Sequence, residues 1–387
     1  MPASDGRHVE EAACAVSNEI SGKYMISPYL IMFPLYVSMV GTGIMTYQRS
    51  LMEHAGYNAW ISAILTGISI HLIIWMIYTI LASHRDGQEI ITLNHTLFGK
   101  FLGNILNSAV VLYFVFGAFL KLKAYIEIIQ VWLFPVMNIL PLSLIIALLL
   151  YYTVSGGFRS VTGISVWATF FSFVSIIPEV SLSLQFLHPL NLLPLLNHSA
   201  TELLLSSKSM VFEYLGIETL LFFYPFIQTP AKSQKWAHLI LILVTLLYLM
   251  ILLLAFMFFS EGQMRHSVWP TLELISIFEV PLLQRLEYFF VSLWFIKTFA
   301  GVSIYLWVAC RGMKTAFRAG PRYSLLIFLL AMVMLNYFIV GHRTIERISE
   351  WYGTIGLYFI YAYIPFMFVY VLIRRRFTRR FEARKPA

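Results

Sequence analysis

The sequence has little charge and few cysteines, and it lacks the start of a cleaved signal peptide. Only 12% of its 387 residues are charged, against about 25% in an ordinary soluble domain, and the mean hydropathy is +0.77. These values exclude a soluble globular enzyme. Cys14 and Cys310 are too few for a disulfide framework or a cysteine-held metal cluster. The first 25 residues mix acidic, basic and polar side chains, so the first span itself is expected to direct insertion.

The sequence also lacks the residue patterns of catalysis. It contains no HExxH, no GxSxG and no Cys/His set at metal-ligand spacing, and its ten histidines are scattered singly. We therefore expect no catalytic residues, no metal and no cofactor. An intramembrane enzyme such as an acyltransferase would need a His or carboxylate site, and none has that spacing.

Long apolar runs occupy most of the chain. Runs bounded by charge, Pro or Gly predict ten transmembrane helices, at about 26–53, 58–83, 104–134, 139–154, 160–184, 209–228, 236–259, 283–310, 323–341 and 352–373. The chain is thus predicted to be an all-α polytopic membrane protein: one domain over 26–373, a 1–25 N-terminal segment and a basic 374–387 tail. We expect surface amphipathic helices at 88–102 and 200–208, and a helix-containing external loop at 261–282, punctuated by Pro270 and Pro281.

Lys and Arg are distributed unequally between the two sides of the membrane. With a cytoplasmic N-terminus, the inside segments hold 18 basic residues, the outside segments hold 6, and 3 fall within spans. Positive residues concentrate on the cytoplasmic side, so both termini are predicted to be cytoplasmic. This rule and an attraction to the anionic lipid bilayer explain the net charge of +8 and the basic tail. No nucleic-acid partner is expected.

Glycines interrupt the first span of each half of the chain. Gly41, Thr42 and Gly43 lie in span 1, and Gly216, followed by Ile217 and Glu218, lies in span 6. Corresponding interruptions in two halves point to a transporter-type midplane site in a five-plus-five inverted repeat with broken helices 1 and 6. The alternative is that these glycines serve close helix packing, and it stays open for Gly41 and Gly43 taken alone.

Ionisable residues inside spans are candidates for function because their insertion costs about 2.5–3.5 kcal/mol at the bilayer centre. Lys123 and Glu127 stand four residues apart and are expected to pair, which gives the cluster of Lys121, Lys123 and Glu127 a structural role. Lys297 has no acid one turn away, so it needs a partner on another helix. It either replaces a coupling cation or changes protonation, or it is tied to an acid such as Glu218.

Two further positions have structural interpretations. Glu287 follows Arg285 near the outer end of span 8, where a salt bridge at the rim is expected. His71, alone on span 2, is expected to be a hydrogen-bonded residue of helix packing.

Several local strings resemble the B subunits of spore germinant receptors. The strings are 55–62 (AGYNAWIS), Gly216-Ile217-Glu218 with FFYPF at 222–226, WPTL at 269–272, QRLE at 284–287 and LW at 293–294. The 269–294 region is the most specific. The resemblance covers about 26–375 and places the chain in the amino acid–polyamine–organocation transporter superfamily.

That resemblance implies a LeuT-like (APC) fold with ten helices, location in the inner membrane of the endospore, and assembly with an A-type membrane subunit and a C-type lipoprotein. It also implies a small-molecule germinant, commonly an amino acid, bound where a permease holds its substrate. Carried onto this sequence, the ligand-binding residues are Gly41, Thr42, Gly43, Tyr113, Phe212, Gly216, Ile217 and Glu218, with Lys297 nearby. The two lysines in span 3 depart from the family pattern.

Two functions are compatible with such a site. The first is a receptor subunit that binds a nutrient and passes a conformational change to its partners. The second is a secondary amino acid permease coupled to protons or sodium. The glycine breaks predict ligand binding in both cases, so flux and partner subunits distinguish them.

Overall fold

Apolar helices make up most of the described chain. The structure is a computed structural model that describes residues 22–83, 89–277 and 285–382, apart from the side chains of Lys23 and 376–382. The first half contains α1 (Pro28–Met39), α2 (Tyr47–Ala55), α3 (Ala59–Leu81), α4 (Ile90–Ile128), α5 (Ile139–Ser155) and α6 (Phe158–Ser183). The second half contains α7 (Ala200–Val211), α8 (Ile217–Phe226), α9 (Pro230–Phe258), α10 (Glu261–His266), α11 (Pro270–Ser276), α12 (Leu286–Phe317), α13 (Pro321–Phe338), α14 (His342–Tyr358) and α15 (Ile364–Glu382).

The ten predicted spans are confirmed, with spans 1 and 6 each broken into two half-helices. Span 1 consists of α1 and α2, and span 6 of α7 and α8. Seven helices of the described chain are long and apolar enough to cross a membrane, and α1, α5 and α8 are shorter apolar helices. The core lies where α12 packs on α4 and α6 and where α1 packs on α6, α9 and α12. The two broken spans therefore meet in the interior, surrounded by the long helices α4, α6, α9 and α12.

The predicted separate surface helix at 200–208 is wrong, because these residues begin span 6 as part of α7. A Ser199 capping box starts this helix. Hydrogen bonds join this helix to spans 1 and 2. The Ser206 hydroxyl of α7 donates to the Leu51 carbonyl of span 1 (3.0 Å), and the Ser62 hydroxyl of span 2 donates to the Leu203 carbonyl of α7 (2.8 Å). Serines that are hydrogen-bonded in this way can lie on a buried helix face. The polarity of the sequence alone does not show that their hydroxyls have partners.

The predicted amphipathic segment at 88–102 is helical, and it turns into span 3 at Gly99. Gly99 has φ +74°, a conformation that favours glycine. Across this bend the Asn94 side-chain amide donates to Asn107 Oδ1 (2.8 Å), and the Tyr363 hydroxyl donates to Asn94 Oδ1 (2.6 Å). Part of the apolar face of this segment, including Ile91, is buried in protein rather than left for lipid.

The predicted external loop at 261–282 contains two short helices, α10 and α11, while Pro281 lies outside the described residues. Helix α11 covers the start of the second half of span 1. The Thr271 hydroxyl donates to the Ile44 carbonyl (3.0 Å), and the Gln48 side-chain amide donates to the Thr271 oxygen (2.7 Å). On the opposite side, the Ile26 N–H donates to the Phe226 carbonyl (2.8 Å) and joins the entry of span 1 to the end of span 6. The helix breaks are therefore covered at both ends.

A buried ion pair fastens the start of α4 to the end of α12. The Arg311 guanidinium donates to Glu89, and the Thr315 hydroxyl donates to the other Glu89 oxygen (3.1 Å). Glu89 is buried, and the side chain of Arg311 is 24% exposed. Burial raises the pKa of Glu89 above its ordinary value, while the Arg311 charge opposes the rise.

We expect Arg311→Ala to destabilise the protein by about 2 kcal/mol at pH 8, because an ionised Glu89 then lacks its cation. A carboxyl with a raised pKa in the folded state favours folding when protonated and loses that contribution as the pH rises through the folded pKa. The loss should therefore be smaller at pH 5. Thermal unfolding in detergent measures it, with Arg49→Ala, which removes a half-exposed i,i+4 pair with Glu53, as the control. Equal losses at the two pH values would contradict the prediction.

Candidate functional site

Both predicted glycine interruptions are breaks in the helices. Helix α1 ends at Met39, Val40 and Gly41 are extended, and a 3₁₀ turn covers Thr42–Met45 before α2. Span 6 breaks at Leu215, which is extended, and at Gly216, which has φ +124°. The predicted unwinding of both spans is therefore confirmed, and at Gly216 the positive φ favours glycine for the backbone itself.

The two breaks touch each other. A Cβ at Gly216 would overlap the Ser38 carbonyl, so only glycine allows this approach. The Ser38 hydroxyl donates to the Gly216 carbonyl (3.0 Å), and the Thr219 hydroxyl donates to the same oxygen (2.6 Å). Backbone groups that would be left unpaired at a helix break are thus satisfied across spans 1 and 6.

Gly41 and Gly43 lie beside two ionisable side chains. A Cβ at Gly41 would lie 3.1 Å from Lys121 Nζ, and a Cβ at Gly43 would overlap the Glu213 carboxylate. Gly41 has an extended backbone that other residues adopt, so its requirement is for space. The glycines of span 1 therefore make room for charged groups from spans 3 and 6.

Tyr113 and Glu218 form a hydrogen-bonded unit at the break of span 6. The Tyr113 hydroxyl donates to Glu218 Oε1 (2.8 Å), and the Gly216 N–H donates to Glu218 Oε2 (2.8 Å). Tyr113 also stacks between Tyr352 and Phe359 of span 10, with ring centroids 4.8 and 5.3 Å away. Both Glu218 oxygens are thus hydrogen-bonded at the start of α8, and these bonds stabilise the break of span 6.

Lys121 lies in the site, which the sequence analysis did not predict. Its Nζ donates to the Ser38 carbonyl (2.9 Å) and lies 4.9 Å from the centroid of the Tyr305 ring. Tyr113, Gly117 and Lys121 follow at intervals of four residues, so they share one face of α4. This spacing, which starts from a predicted site residue, was a signal in the sequence that could have identified Lys121.

The predicted Lys123–Glu127 pair forms no salt bridge within 4.0 Å among the described residues, although the two charges interact. Lys123 Nζ donates to the Asn336 carbonyl (3.1 Å), and Glu127 Oε1 accepts from His342 Nδ1 (2.7 Å). A lysine placed N-terminal to a glutamate has the weaker orientation for an i,i+4 pair, and spans 9 and 10 offer partners to both side chains. Lys123 therefore lies away from the helix breaks, although it is only two residues from Lys121.

Lys297 is buried in span 8 beside two acids other than the predicted Glu218. Its ammonium lies 3.4 Å from the centroid of the Trp294 ring and has no hydrogen-bond partner among the described residues. Its charge interacts with Glu213 and Glu179. Glu179 of α6 is also buried, and its Oε2 lacks a partner in the same part of the chain. Glu218 is instead engaged by Tyr113 and Gly216.

The remaining predicted site residues line or support the breaks. Thr42 and Ile217 are buried, and Phe212 packs against Gly353 of span 10, where a Cβ would lie 2.8 Å from the Phe212 ring. Gly41, Gly43 and Lys121 keep partial accessibility although Glu213 is only 4% exposed. The two glycines of span 1 and Lys121 are thus partly accessible, while Glu213 is buried.

Two predictions made for residues outside the site are confirmed. Arg285 Nε and Glu287 Oε1 form the expected rim salt bridge at 2.8 Å. His71 is hydrogen-bonded, as expected for a packing residue: its Nδ1 lies 2.8 Å from His238 Nδ1, and the two rings stack between spans 2 and 7. In the described parts of the chain, no group of three or more His, Cys, Asp or Glu could hold a metal ion.

Solved transporters share this architecture. A Na⁺-coupled sialic acid symporter, solved in a substrate-bound outward-open state, aligns with a TM-score of 0.60 at 9% identity and covers 92% of this chain and 78% of its own. Mhp1, a nucleobase-cation-symport-1 family transporter in a closed conformation with bromovinylhydantoin bound, aligns with a TM-score of 0.58 at 14% identity, over 91% and 79%. At these identities the likeness establishes the LeuT-like fold alone.

Sequence relatives are more specific. Spore germination protein GerQB of Bacillus cereus is 35% identical over 91% of this chain and 97% of its own length. Spore germination protein B2 of Bacillus subtilis (strain 168) is 25% identical over 87% and 91%. The family model described as "Spore germination protein" matches residues 25–345. With this match and its broken-helix architecture, the chain belongs to the spore germination protein (spore permease) family of multi-pass membrane proteins.

Proposed function

We propose that this protein is the B-type membrane subunit of a nutrient germinant receptor, and that it binds a small nutrient germinant at the breaks of spans 1 and 6. The observation that carries the proposal is the direct contact between the two breaks. Ser38 and Gly216 join them, and Lys121 and Glu213 reach the glycines of span 1. A ligand that enters between the half-helices must change this contact, which couples binding to helix position.

Partner subunits would receive that change. The family places the chain among germination proteins, and an A-type membrane subunit with a C-type lipoprotein completes the proposed receptor. The receptor would lie in the inner membrane of the endospore with both termini on the core side, as the distribution of basic residues predicts. Covering at both ends of the site by Thr271 and Ile26 supports a ligand-free state held closed until binding.

A secondary amino acid permease is the second proposal, and the likeness to solved symporters favours it. Uptake by the purified protein in proteoliposomes, measured beside binding in the same preparation, separates the two. Saturable binding without flux supports the receptor. Flux that follows an imposed proton or sodium gradient makes the protein a transporter.

Gly43→Ala is the variant that tests the site in spores. Its Cβ must displace the Glu213 carboxylate, so we expect the nutrient response to fall at least tenfold while the protein stays in the membrane. Germination rate against nutrient concentration measures the response, and immunoblotting measures the amount of protein. Gly163→Ala is the matched control, because no atom lies within 4 Å of a Cβ built there. A wild-type response in the Gly43→Ala spores would refute this site.

A further inference from the structure

The lysine at the break of span 1 bears on the charge of the ligand. In transporters with broken helices, unwound carbonyls hold cations, and positive half-helix ends hold anionic groups. The C-terminal ends of half-helices also hold cations, and the Ser38 carbonyl lies in the last turn of α1, where the helix dipole is negative. Lys121 Nζ already donates to it at 2.9 Å. The protein thus places its own ammonium where a ligand's cation would be held.

Other groups around Lys121 also accommodate this ammonium. The Tyr305 ring lies 4.9 Å from Nζ, within the range of a cation–π contact. Gly41 leaves the space that Nζ occupies, and the Lys121 stem passes Gly301, from which a Cβ would reach Cδ at 3.9 Å. A ligand ammonium placed here would meet a like charge in a buried setting, where such contacts are costly.

The second charge at the break is a carboxylate. Glu213 occupies the space beside Gly43, on the other side of Thr42 from Gly41. Its charge interacts with Lys121 and Lys297, yet no ion pair within 4.0 Å joins it to either lysine in the described residues. The two charges that a zwitterionic ligand would bring are thus both present as side chains, and they lie apart from each other.

Uncharged hydrogen-bonding groups are also available. The Tyr305 and Tyr352 hydroxyls are buried and interact with each other, and the Tyr352 hydroxyl also interacts with the Tyr113 hydroxyl. Both rings lie beside Gly117, one turn before Lys121 on the same face of α4. A hydroxyl has one donor and two acceptor positions, so these groups can pair with a further ligand oxygen or nitrogen, which would gain affinity from the hydrogen bond.

We propose that Lys121 and Glu213 stand in for the two charges of an amino acid, and that the ligand of this member is a small, uncharged, hydrogen-bonding molecule. This inference rests on the proposed binding site and narrows its ligand class. It differs from the amino acid that the family resemblance implies. The two lysines of span 3 that depart from the family pattern then have different roles: Lys121 sets the ligand charge, and Lys123 binds the Asn336 carbonyl.

The test measures binding by the purified full-length protein. Radiolabelled L-alanine is the zwitterionic probe, and radiolabelled L-lactamide is the uncharged probe of similar shape, with a hydroxyl for the ammonium and an amide for the carboxylate. We expect the wild-type protein to bind L-lactamide at least tenfold more tightly than L-alanine. The reverse preference would overturn the proposal, and this arm needs no variant.

The variant arm uses Lys121→Met with Glu213→Gln, which removes both charges and keeps side-chain length. We expect it to bind L-alanine at least tenfold more tightly than the wild type and to lose the wild-type preference for L-lactamide. The matched control is Lys123→Met with Glu127→Gln, which removes the same two charges from one helix away from the site and should bind both probes as the wild type does. Loss of L-alanine binding in the first variant would mean that the two charges are counter-ions for a zwitterion, and unchanged binding would mean that they do not set selectivity.

These outcomes are independent of the germination experiment. If spores do not need the protein for their nutrient response, the proposed receptor function fails while the charge preference of the purified protein still stands. If germination depends on the site but the protein prefers L-alanine, the receptor function stands and the present inference fails.

Discussion

Replacing Gly216 with alanine is expected to cost more than 3 kcal/mol of stability. Two terms add at this position. A residue with a Cβ at a positive φ costs about 1–2 kcal/mol, and the Cβ would also overlap the Ser38 backbone, so spans 1 and 6 must separate. The hydrogen bond from the Ser38 hydroxyl to the Gly216 carbonyl would be strained or broken by that movement. Thermal unfolding of the purified protein in detergent measures the loss.

Gly341→Ala is the control for the backbone term. Gly341 also has a positive φ, of +98°, but no atom lies within 4 Å of a Cβ built there. It should therefore lose only about 1–2 kcal/mol, and its nutrient response should remain. The difference between the two variants isolates the close approach of the broken spans. If both variants lose the same stability, the contact between the breaks contributes nothing beyond backbone strain.

Lys297→Met is expected to destabilise the protein by about 2 kcal/mol, because it removes a buried amine that contacts the Trp294 ring and interacts with the Glu179 and Glu213 carboxyl groups. Glu179 is affected most, since its Oε2 lacks a hydrogen-bond partner in the described chain, whereas Glu213 keeps its interaction with Lys121. The nutrient response should change as well, because Lys297 and Lys121 interact with the same carboxylate beside Gly43. Unfolding midpoints and germination rates are the measurements.

A second substitution separates charge balance from packing. Glu179→Gln in the Lys297→Met background removes the unpaired carboxylate, so we expect it to restore about half of the lost stability or more. Lys123→Met is the matched control, since that lysine donates only to the Asn336 carbonyl among its described contacts and lies outside the site. If Lys297→Met and Lys123→Met have equal, small effects, Lys297 is a structural residue and the charge cluster does not support the site.

Hydropathy and glycine position were sufficient for the architecture. Apolar runs of about 20 residues predicted the spans because each must satisfy its own backbone in lipid, and Gly41, Gly43 and Gly216 predicted the breaks because glycine disfavours helix. The prediction of a separate surface helix at 200–208 was wrong because it also relied on hydropathy. Those serines look polar in the sequence, but Ser206 is satisfied by the Leu51 carbonyl, so they belong to span 6.

The partners of the buried charges could not be read in the same way. Sequence spacing predicted that Lys123 pairs with Glu127, and Glu218 was one acid considered for Lys297. In the structure Lys123 binds Asn336, Glu127 binds His342 and Glu218 binds Tyr113. Each of these contacts joins different spans. Spacing along one helix identifies only possible partners on that same helix. In the low-dielectric interior, polar interactions are strong, so a buried charge binds whichever group the adjacent helices bring close to it.

The sequence by itself determined that this protein is a ten-span membrane protein with two broken helices, because the period and length of apolar runs and the low helix propensity of glycine are local properties. Only the tertiary structure decided which charges meet at those breaks. Lys121 and Lys123 are two residues apart, yet 100° of rotation per residue sends them to different faces of α4. One therefore reaches Ser38 at the site and the other reaches span 9, because the helices that pack on each face supply the partner.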